Sequence, residues 1–181
     1  MEKTRYKSVL LKLSGEALMG TIGFGIDPNA LKYLAEQIFS TTSRFNVKIS
    51  IVVGGGNIWR GTDYEDQGMD RSVADSAGML GTMINALALQ DNLERIGTPV
   101  RTLSALSTPS VAEPFIRRRA LRHLEKGRVV ILAGGTGNPY MTTDTAAAQR
   151  ALELNAELLI MSKNKVDGIY LVDVIEHIFR N

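Results

Sequence analysis

The chain has 181 residues, 44% of them hydrophobic, and its 21 basic and 19 acidic residues leave a formal net charge of +2. This length and composition predict a single globular domain over residues 1–181, and the balanced charge argues against general affinity for nucleic acid or membranes. The absence of cysteine excludes a disulfide scaffold, a thiol nucleophile and a Cys-ligated zinc site, and two histidines argue against a histidine-rich metal site. The N-terminal apolar stretch is interrupted by Lys12 and too short for a signal peptide, so we expect a cytoplasmic protein.

The first quarter of the chain reads as a strand followed by a helix. An apolar run predicts a strand at 8–13, and a loop punctuated by glycines leads from it to Asp27 and Pro28. Aspartate and proline are typical of the N-cap and first position of a helix. The residues that then recur at helical spacing are Leu31, Leu34, Ala35 and Ile38.

The middle of the chain continues this alternation. A second strand at 47–53 ends at three consecutive glycines, Gly54 to Gly56. A long helix at 72–95 is predicted from a single apolar stripe. The stripe consists of Val73, Ala77, Leu80, Ile84, Leu87 and Ala88.

The remaining elements complete an α/β pattern. We expect a strand at 99–103, a helix at 114–125 that ends before Gly127, a strand within 129–132, a helix at 143–154 and a strand at 157–161. Strands separated by helices imply right-handed crossovers and a mostly parallel sheet. The predicted fold is a three-layer α/β/α domain.

The most informative segment is RVVILAGGTGNPYMTTD, residues 128–144. Its continuous apolar start fits a strand that is covered on both faces. Gly134, Gly135 and Gly137 follow, and residues without a β-carbon allow the backbone to approach a ligand closely. Asp144 stands where the next helical pattern begins, and a helix N-terminus favours anions.

Two further glycine loops, KLSGEALMG and GGGNIWRG, also follow predicted strands. In an open parallel sheet such loops share the carboxyl edge, where ligands bind. With Lys12, Arg60 and Asp144 nearby, the three loops favour phosphate chemistry. The sequence contains neither GxxxxGK[ST] nor a GxGxxG after a strand, which argues against a P-loop and a dinucleotide-binding Rossmann site.

Six segments together resemble the bacterial uridylate kinases of the amino acid kinase superfamily. They are LLKLSGEAL (10–18), GFGID (23–27), VVGGGNIWRG (52–61), DRSVADSAGMLGTMINALAL (70–89), GGTGNPYMTTDTAA (134–147) and VDGIY (166–170). The resemblance implies an amino acid kinase-like fold and transfer of phosphate from ATP, with Mg2+, to UMP. It also implies a homohexamer that GTP activates and UTP inhibits.

The resemblance assigns residues to three roles. The catalytic pair is Lys12 and Asp144. The residues implied to contact UMP are Gly55, Asp75, Thr136, Gly137, Asn138, Pro139, Tyr140, Met141, Thr142 and Thr143. Those implied to contact ATP are Lys12, Leu13, Ser14, Gly15, Gly56, Arg60, Asn164, Tyr170 and Asp173. No residue is implied to bind metal directly, since Mg2+ retains waters and binds through substrate phosphates.

Several of these residues also have a purely structural interpretation. Lys12 could extend from its strand to the surface, and Asp144 could only cap a helix. Arg60 could stack on Trp59, and Asp75 could serve an i,i+4 ion pair with Arg71.

The resemblance ends in the last segment, where residues 171–181 depart from the family pattern. We expect the C-terminal part of the fold to be incomplete, through a truncation, a frameshifted end or an internal deletion. Two alternatives to a working UMP kinase therefore stay open. One is a catalytically impaired form that binds UMP or UTP and acts through assembly, and the other is a related kinase with another small acceptor.

Overall fold

The computed structural model describes residues 5–162, apart from the side chain of Thr62. The strands are β1 (Ser8–Leu13), β2 (Lys48–Val53), β3 (Val100–Ser104), β4 (Glu113–Pro114), β5 (Val129–Ala133) and β6 (Leu158–Met161). The helices are α1 (Gly15–Met19), α2 (Pro28–Arg44), α3 (Gly61–Glu65), α4 (Arg71–Arg95), α5 (Arg117–Glu125) and α6 (Thr143–Glu153).

The strands form one six-stranded sheet in the order β4-β3-β5-β2-β1-β6. Every strand pair is parallel. The carboxyl ends of β5, β2 and β1 therefore lie side by side at one edge of the sheet. The predicted α/β class with a parallel sheet is confirmed.

Alternate residues of the central strands enter two separate cores. In β5, Val129, Ile131 and Ala133 pack with α2 and α4 on one face, whereas Val130 and Leu132 pack with α5 and α6 on the other. Successive side chains of a strand point to opposite faces, so a continuous apolar run is what a strand covered by helices on both sides requires. The predicted three layers follow from this arrangement.

Helix α4 has the predicted position but not the predicted orientation. Val73, Leu80 and Ile84 of the expected stripe are at least half exposed. The face that packs on the sheet is instead rich in small and polar residues. Its buried residues are Ala74, Gly81, Thr82, Met83, Asn85, Ala86, Leu89 and Leu93. The stripe was a poor guide because small residues allow the helix backbone to approach the glycine loops closely, as described below. Within residues 5–162, no helix combines the length and apolar character that crossing a membrane requires.

Some shorter elements also differ from the sequence prediction. The helix expected from residue 114 begins at Arg117, because Pro114 belongs to the two-residue strand β4, which pairs with the end of β3. Helices α1 and α3 were not predicted, since each spans only five residues inside a loop. Helices this short show no periodicity that a sequence pattern could reveal.

The N-terminus of α4 is capped by Asp70. Its carboxylate accepts hydrogen bonds from the backbone N–H groups of Ser72 and Val73 at 3.0 and 3.2 Å. The Ser72 hydroxyl also donates to it, and these bonds, chiefly the one from that hydroxyl, lower the pKa of Asp70 below its ordinary value. The charged form is therefore stabilised in the folded protein.

The lowered pKa predicts how the stability of wild type and Asp70→Asn will differ with pH. Asparagine caps helices as well but does not titrate, so the variant lacks only the charge. A carboxyl whose folded pKa is lowered contributes stability that is present above its unfolded pKa and lost as the pH falls through the folded pKa. Urea unfolding should find wild type more stable at pH 6 and the difference vanishing below about pH 4. A difference that stays constant across this range would contradict the assignment.

Candidate functional site

The three glycine loops meet at the carboxyl edge of the sheet. They follow β1, β2 and β5, which are neighbours in the strand order. Gly54 N–H donates to the carbonyl of Leu13 at 2.8 Å, so the ends of the first two strands are joined directly. The site predicted from three separate loops is thus one continuous surface.

Lys12 and Asp144 form an ion pair at this edge. The ammonium nitrogen of Lys12 lies 2.9 Å from Oδ1 of Asp144, and the lysine is 7% exposed. Asp144 is in the first turn of α6, whose N-cap Thr142 accepts a hydrogen bond from Thr145 N–H. The cap is therefore supplied by Thr142, and the structural alternative that Asp144 caps the helix is wrong. Lys12 likewise does not extend to the surface.

A cavity of about 190 Å³ lies between the loops after β2 and β5. Its wall combines glycine backbone with hydroxyl, amide and carboxylate groups. The residues that line it are Gly55, Gly56, Trp59, Gly61, Asp75, Gly78, Met79, Thr82, Gly135, Thr136, Asn138, Met141 and Thr143. Six of the residues implied to contact UMP are in this wall: Gly55, Asp75, Thr136, Asn138, Met141 and Thr143.

Asp75 connects α4 to the loop after β5. Its Oδ2 accepts a hydrogen bond from Tyr140 N–H at 2.7 Å and pairs with Nε of Arg71 at 2.9 Å. Tyr140 has a positive φ of 66°, a conformation that is uncommon for a residue with a side chain. The i,i+4 pair anticipated from sequence exists, and the same carboxylate also holds the strained turn of the loop.

Arg60 and Trp59 both line a second cavity, which has a volume of about 320 Å³. The Nε of Arg60 donates to the carbonyl of Gly56 at 3.2 Å, and its guanidinium also pairs with Glu16 of α1. Trp59 stacks on Tyr64, with ring centroids 3.7 Å apart. Because the only tryptophan of the chain borders both cavities, its fluorescence is suited to report binding in either one.

The backbone of α4 packs directly against the loop after β2. A β-carbon placed on Gly55 would lie 2.6 Å from the carbonyl oxygen of Gly78 and 2.9 Å from Thr82 N. A β-carbon on Gly81 would lie 3.3 Å from the carbonyl oxygen of Gly55. Only glycine fits at Gly55, and this packing accounts for the small residues on the buried face of α4.

Some predicted residues lie away from the cavities. Leu13 and Gly15 are buried, and the hydroxyl of Ser14 caps α1 by accepting Ala17 N–H. Gly137, Pro139 and Thr142 belong to the loop without lining the cavity wall. Asn164, Tyr170 and Asp173 lie outside the described residues.

Sequence reasoning missed five residues of the cavity wall: Trp59, Gly61, Gly78, Met79 and Thr82. Met79 and Thr82 belong to the predicted helix at 72–95, where nothing in the pattern distinguishes them from other residues in the middle of a helix. The available signal was the polar residues Asp75, Thr82 and Asn85, which share one face of that helix.

Comparison with known proteins now places the chain in a family. The model of the amino acid kinase family matches residues 7–175, so the chain belongs to the amino acid kinase family. Among solved structures, it is similar to UMP kinase from Bacillus anthracis, with 43% identity and a TM-score of 0.85 over 93% of this chain and 69% of that one. It is also similar to UMP kinase from Ureaplasma parvum, with 38% identity and a TM-score of 0.84 over 94% of this chain and 72% of that one.

The contact between Gly55 and α4 predicts a difference between two neighbouring glycines. Gly55→Ala forces a β-carbon against helix backbone and should lower the free energy of unfolding by about 1–3 kcal/mol. Gly56→Ala is the matched control, since its β-carbon would meet only the Arg60 side chain at 3.8 Å. Its effect should stay within about 0.5 kcal/mol. Urea unfolding followed by Trp59 fluorescence measures both, and equal effects would contradict the packing argument.

Proposed function

We propose that this chain is a nucleoside monophosphate kinase that transfers the γ-phosphoryl group of ATP to UMP, giving ADP and UDP. The observation that carries the proposal is the ion pair between buried Lys12 and partly exposed Asp144, beside a polar cavity built from two glycine loops. The similarity to two UMP kinases supports the choice of acceptor.

The chemistry of the acceptor explains why few catalytic groups are needed. A phosphate monoester has a second pKa near about 6, so UMP is already an anionic nucleophile at neutral pH. Its phosphate oxygen attacks the γ-phosphorus while the bond to the β-phosphate oxygen breaks and ADP leaves. The protein must hold two anions in line and offset the charge on the transferred group, which is a matter of position and electrostatics.

Lys12 and Asp144 have different roles in this reaction. The ammonium of Lys12 neutralises charge on the donor phosphates, and the carboxylate of Asp144, 2.9 Å away, holds that ammonium at the edge of the sheet. Arg60 lines the second cavity, and this position supports a role in which its guanidinium binds phosphate oxygens. The wall formed by Asp75, Thr136 and Asn138 offers hydrogen-bonding groups to the acceptor nucleotide.

Magnesium enters this reaction with the donor nucleotide. Within residues 5–162, no group of three or more histidine or acidic side chains is arranged to hold a metal ion. Mg2+ keeps several waters and is commonly bound through substrate phosphates with few protein carboxylates. Bound there, it would offset charge on the donor phosphates.

The resemblance to bacterial uridylate kinases extends the proposal to cellular role and regulation. The reaction belongs to pyrimidine nucleotide biosynthesis, and we place it in the cytoplasm. GTP as activator and UTP as inhibitor are part of the same proposal. Nucleotide titrations of the initial rate test both effectors.

An acceptor panel tests the reaction. ADP release from Mg-ATP should be fastest with UMP, slower with CMP, and absent with acetylglutamate or carbamate. Asp144→Asn should reduce turnover with UMP by about 10²-fold or more, because the ammonium of Lys12 loses its counterion. Asp91→Asn removes an exposed carboxylate that pairs with Arg95 on α4, and it is the matched control with unchanged turnover.

The outcomes separate the alternatives. Preference for another acceptor would identify a related kinase of the family. UMP binding by Trp59 fluorescence without turnover would identify a nucleotide-binding form that acts through assembly. Full turnover by Asp144→Asn would remove Asp144 from the mechanism.

We also propose that the chain forms a homo-oligomer, as the resemblance to hexameric kinases implies. The exposed apolar residues Val73, Leu80 and Ile84 follow one face of α4 and offer a surface for a second copy. Sedimentation velocity should show that Leu80→Glu dissociates the assembly, while Leu152→Glu, which changes a more exposed leucine on α6, leaves it intact. A wild-type protein that sediments as a monomer at micromolar concentration would refute the proposal.

A further inference from the structure

One turn of α4 contacts both the loop after β2 and the loop after β5. Thr82 and Asn85 are three residues apart, and their exposed fractions are 2% and 0%. The hydroxyl oxygen of Thr82 accepts a hydrogen bond from Gly134 N–H at 2.7 Å. The side-chain amide of Asn85 donates to the carbonyl of Gly54 at 2.7 Å. The turns that end β5 and β2 are therefore attached to the same face of one helix.

The attachment at Asn85 is reinforced by a second amide. Asn85 donates to Oδ1 of Asn57 at 2.6 Å, and Asn57 donates back to Oδ1 of Asn85 at 2.9 Å. Asn57 also donates to the carbonyl of Gly25 at 2.8 Å, which ties the loop before α2 to the same point. A buried polar network in which every group is paired rigidifies its surroundings.

The hydrogen bond from Gly134 to Thr82 fixes the start of the loop after β5. Gly134 has a positive φ of 77°, and the backbone turns there out of β5 into residues 135–144. The hydroxyl of Thr82 also donates to the carbonyl of Met79 at 2.7 Å, so its orientation is set by the helix itself. The hydroxyl of Thr82 thus donates one hydrogen bond and accepts one within the protein.

We propose that Thr82 and Asn85 are positioning residues that set the separation between the loop after β2 and the loop after β5. The proposal rests on the proposed function, because the cavity between these two loops must hold the acceptor phosphate in line with the donor. A displacement of about 1 Å in such a site can cost about 10²-fold in rate. Helix α4 suits this task, since its 25 residues are packed against the sheet over several turns.

Three threonine variants test the inference. Thr82→Val keeps the shape of the side chain but cannot accept the Gly134 N–H, and Thr82→Ser restores the hydroxyl. Thr102→Val is the matched control, because Thr102 is 3% exposed and its hydroxyl oxygen has no hydrogen-bond partner among the described residues. All three are compared in the intact chain with wild type.

Three measurements distinguish positioning from a merely structural role. Hydrogen–deuterium exchange of the peptide that contains Gly134 should accelerate at least about tenfold in Thr82→Val, since the loss of one buried hydrogen bond is worth about a factor of ten. UMP affinity from Trp59 fluorescence should weaken about tenfold and kcat should fall by about 10- to 100-fold. Thr82→Ser should return all three values close to wild type, and Thr102→Val should change none of them.

Unchanged exchange at Gly134 in Thr82→Val would overturn the inference, as would faster exchange with wild-type affinity and kcat. Failure of Thr82→Ser to restore these values would overturn it as well. If Thr82→Val does not fold, Thr82→Ala, which adds no volume, carries the same comparison. A wild-type chain that binds no UMP would refute the proposed function, whereas the exchange measurement would still decide whether Thr82 holds Gly134.

Discussion

The close approach of α4 to the loop after β2 is the constraint on which the site depends. No side chain separates Gly55 from the backbone of Gly78 and Gly81, so the loop rests on the helix itself. Backbone contacts of this kind leave little freedom, because protein interiors are close-packed and resist small displacements. The same helix holds the loop after β5 through Thr82 and the turn at Tyr140 through Asp75. One rigid element thus fixes the walls of the cavity.

The electrostatics of the site depend on the position of Lys12 within β1. Burial of an unpaired ammonium would be costly, and the carboxylate of Asp144 offsets that cost at 2.9 Å. Neighbouring parallel strands place Lys12 at the edge where the glycine loops leave the sheet, and the first turn of α6 places Asp144 beside it. A charge that is fixed before substrate arrives needs no rearrangement during the reaction. The packing of α4 and the Lys12–Asp144 ion pair therefore both determine the geometry of the carboxyl edge of the sheet.

The accuracy of the sequence predictions varied with the kind of signal. The strands at β1, β2 and β5 were predicted well, because a continuous apolar run has one simple explanation in a parallel sheet. The long helix α4 was also placed well, but the apolar stripe through Leu80 and Ile84 indicated the wrong face. Hydrophobicity marks surfaces that avoid water and does not say whether another part of the chain or a second copy covers them. Small residues such as Gly78 and Gly81 mark the face that packs on the sheet side. They do so only through contact with the loop at Gly55, about 25 positions away in sequence.

By itself, the sequence determined the alternation of strands and helices, the three glycine loops and the residue types available for phosphate chemistry. These are local properties, set by hydrophobic period, backbone freedom and side-chain charge. Only the tertiary structure decided that Asp144 pairs with Lys12 while Thr142 caps α6, and that Thr82 and Asn85 face the loops. The physical reason is that such contacts join residues far apart in the chain. Their existence depends on the order of strands in the sheet and on how closely each helix can approach it.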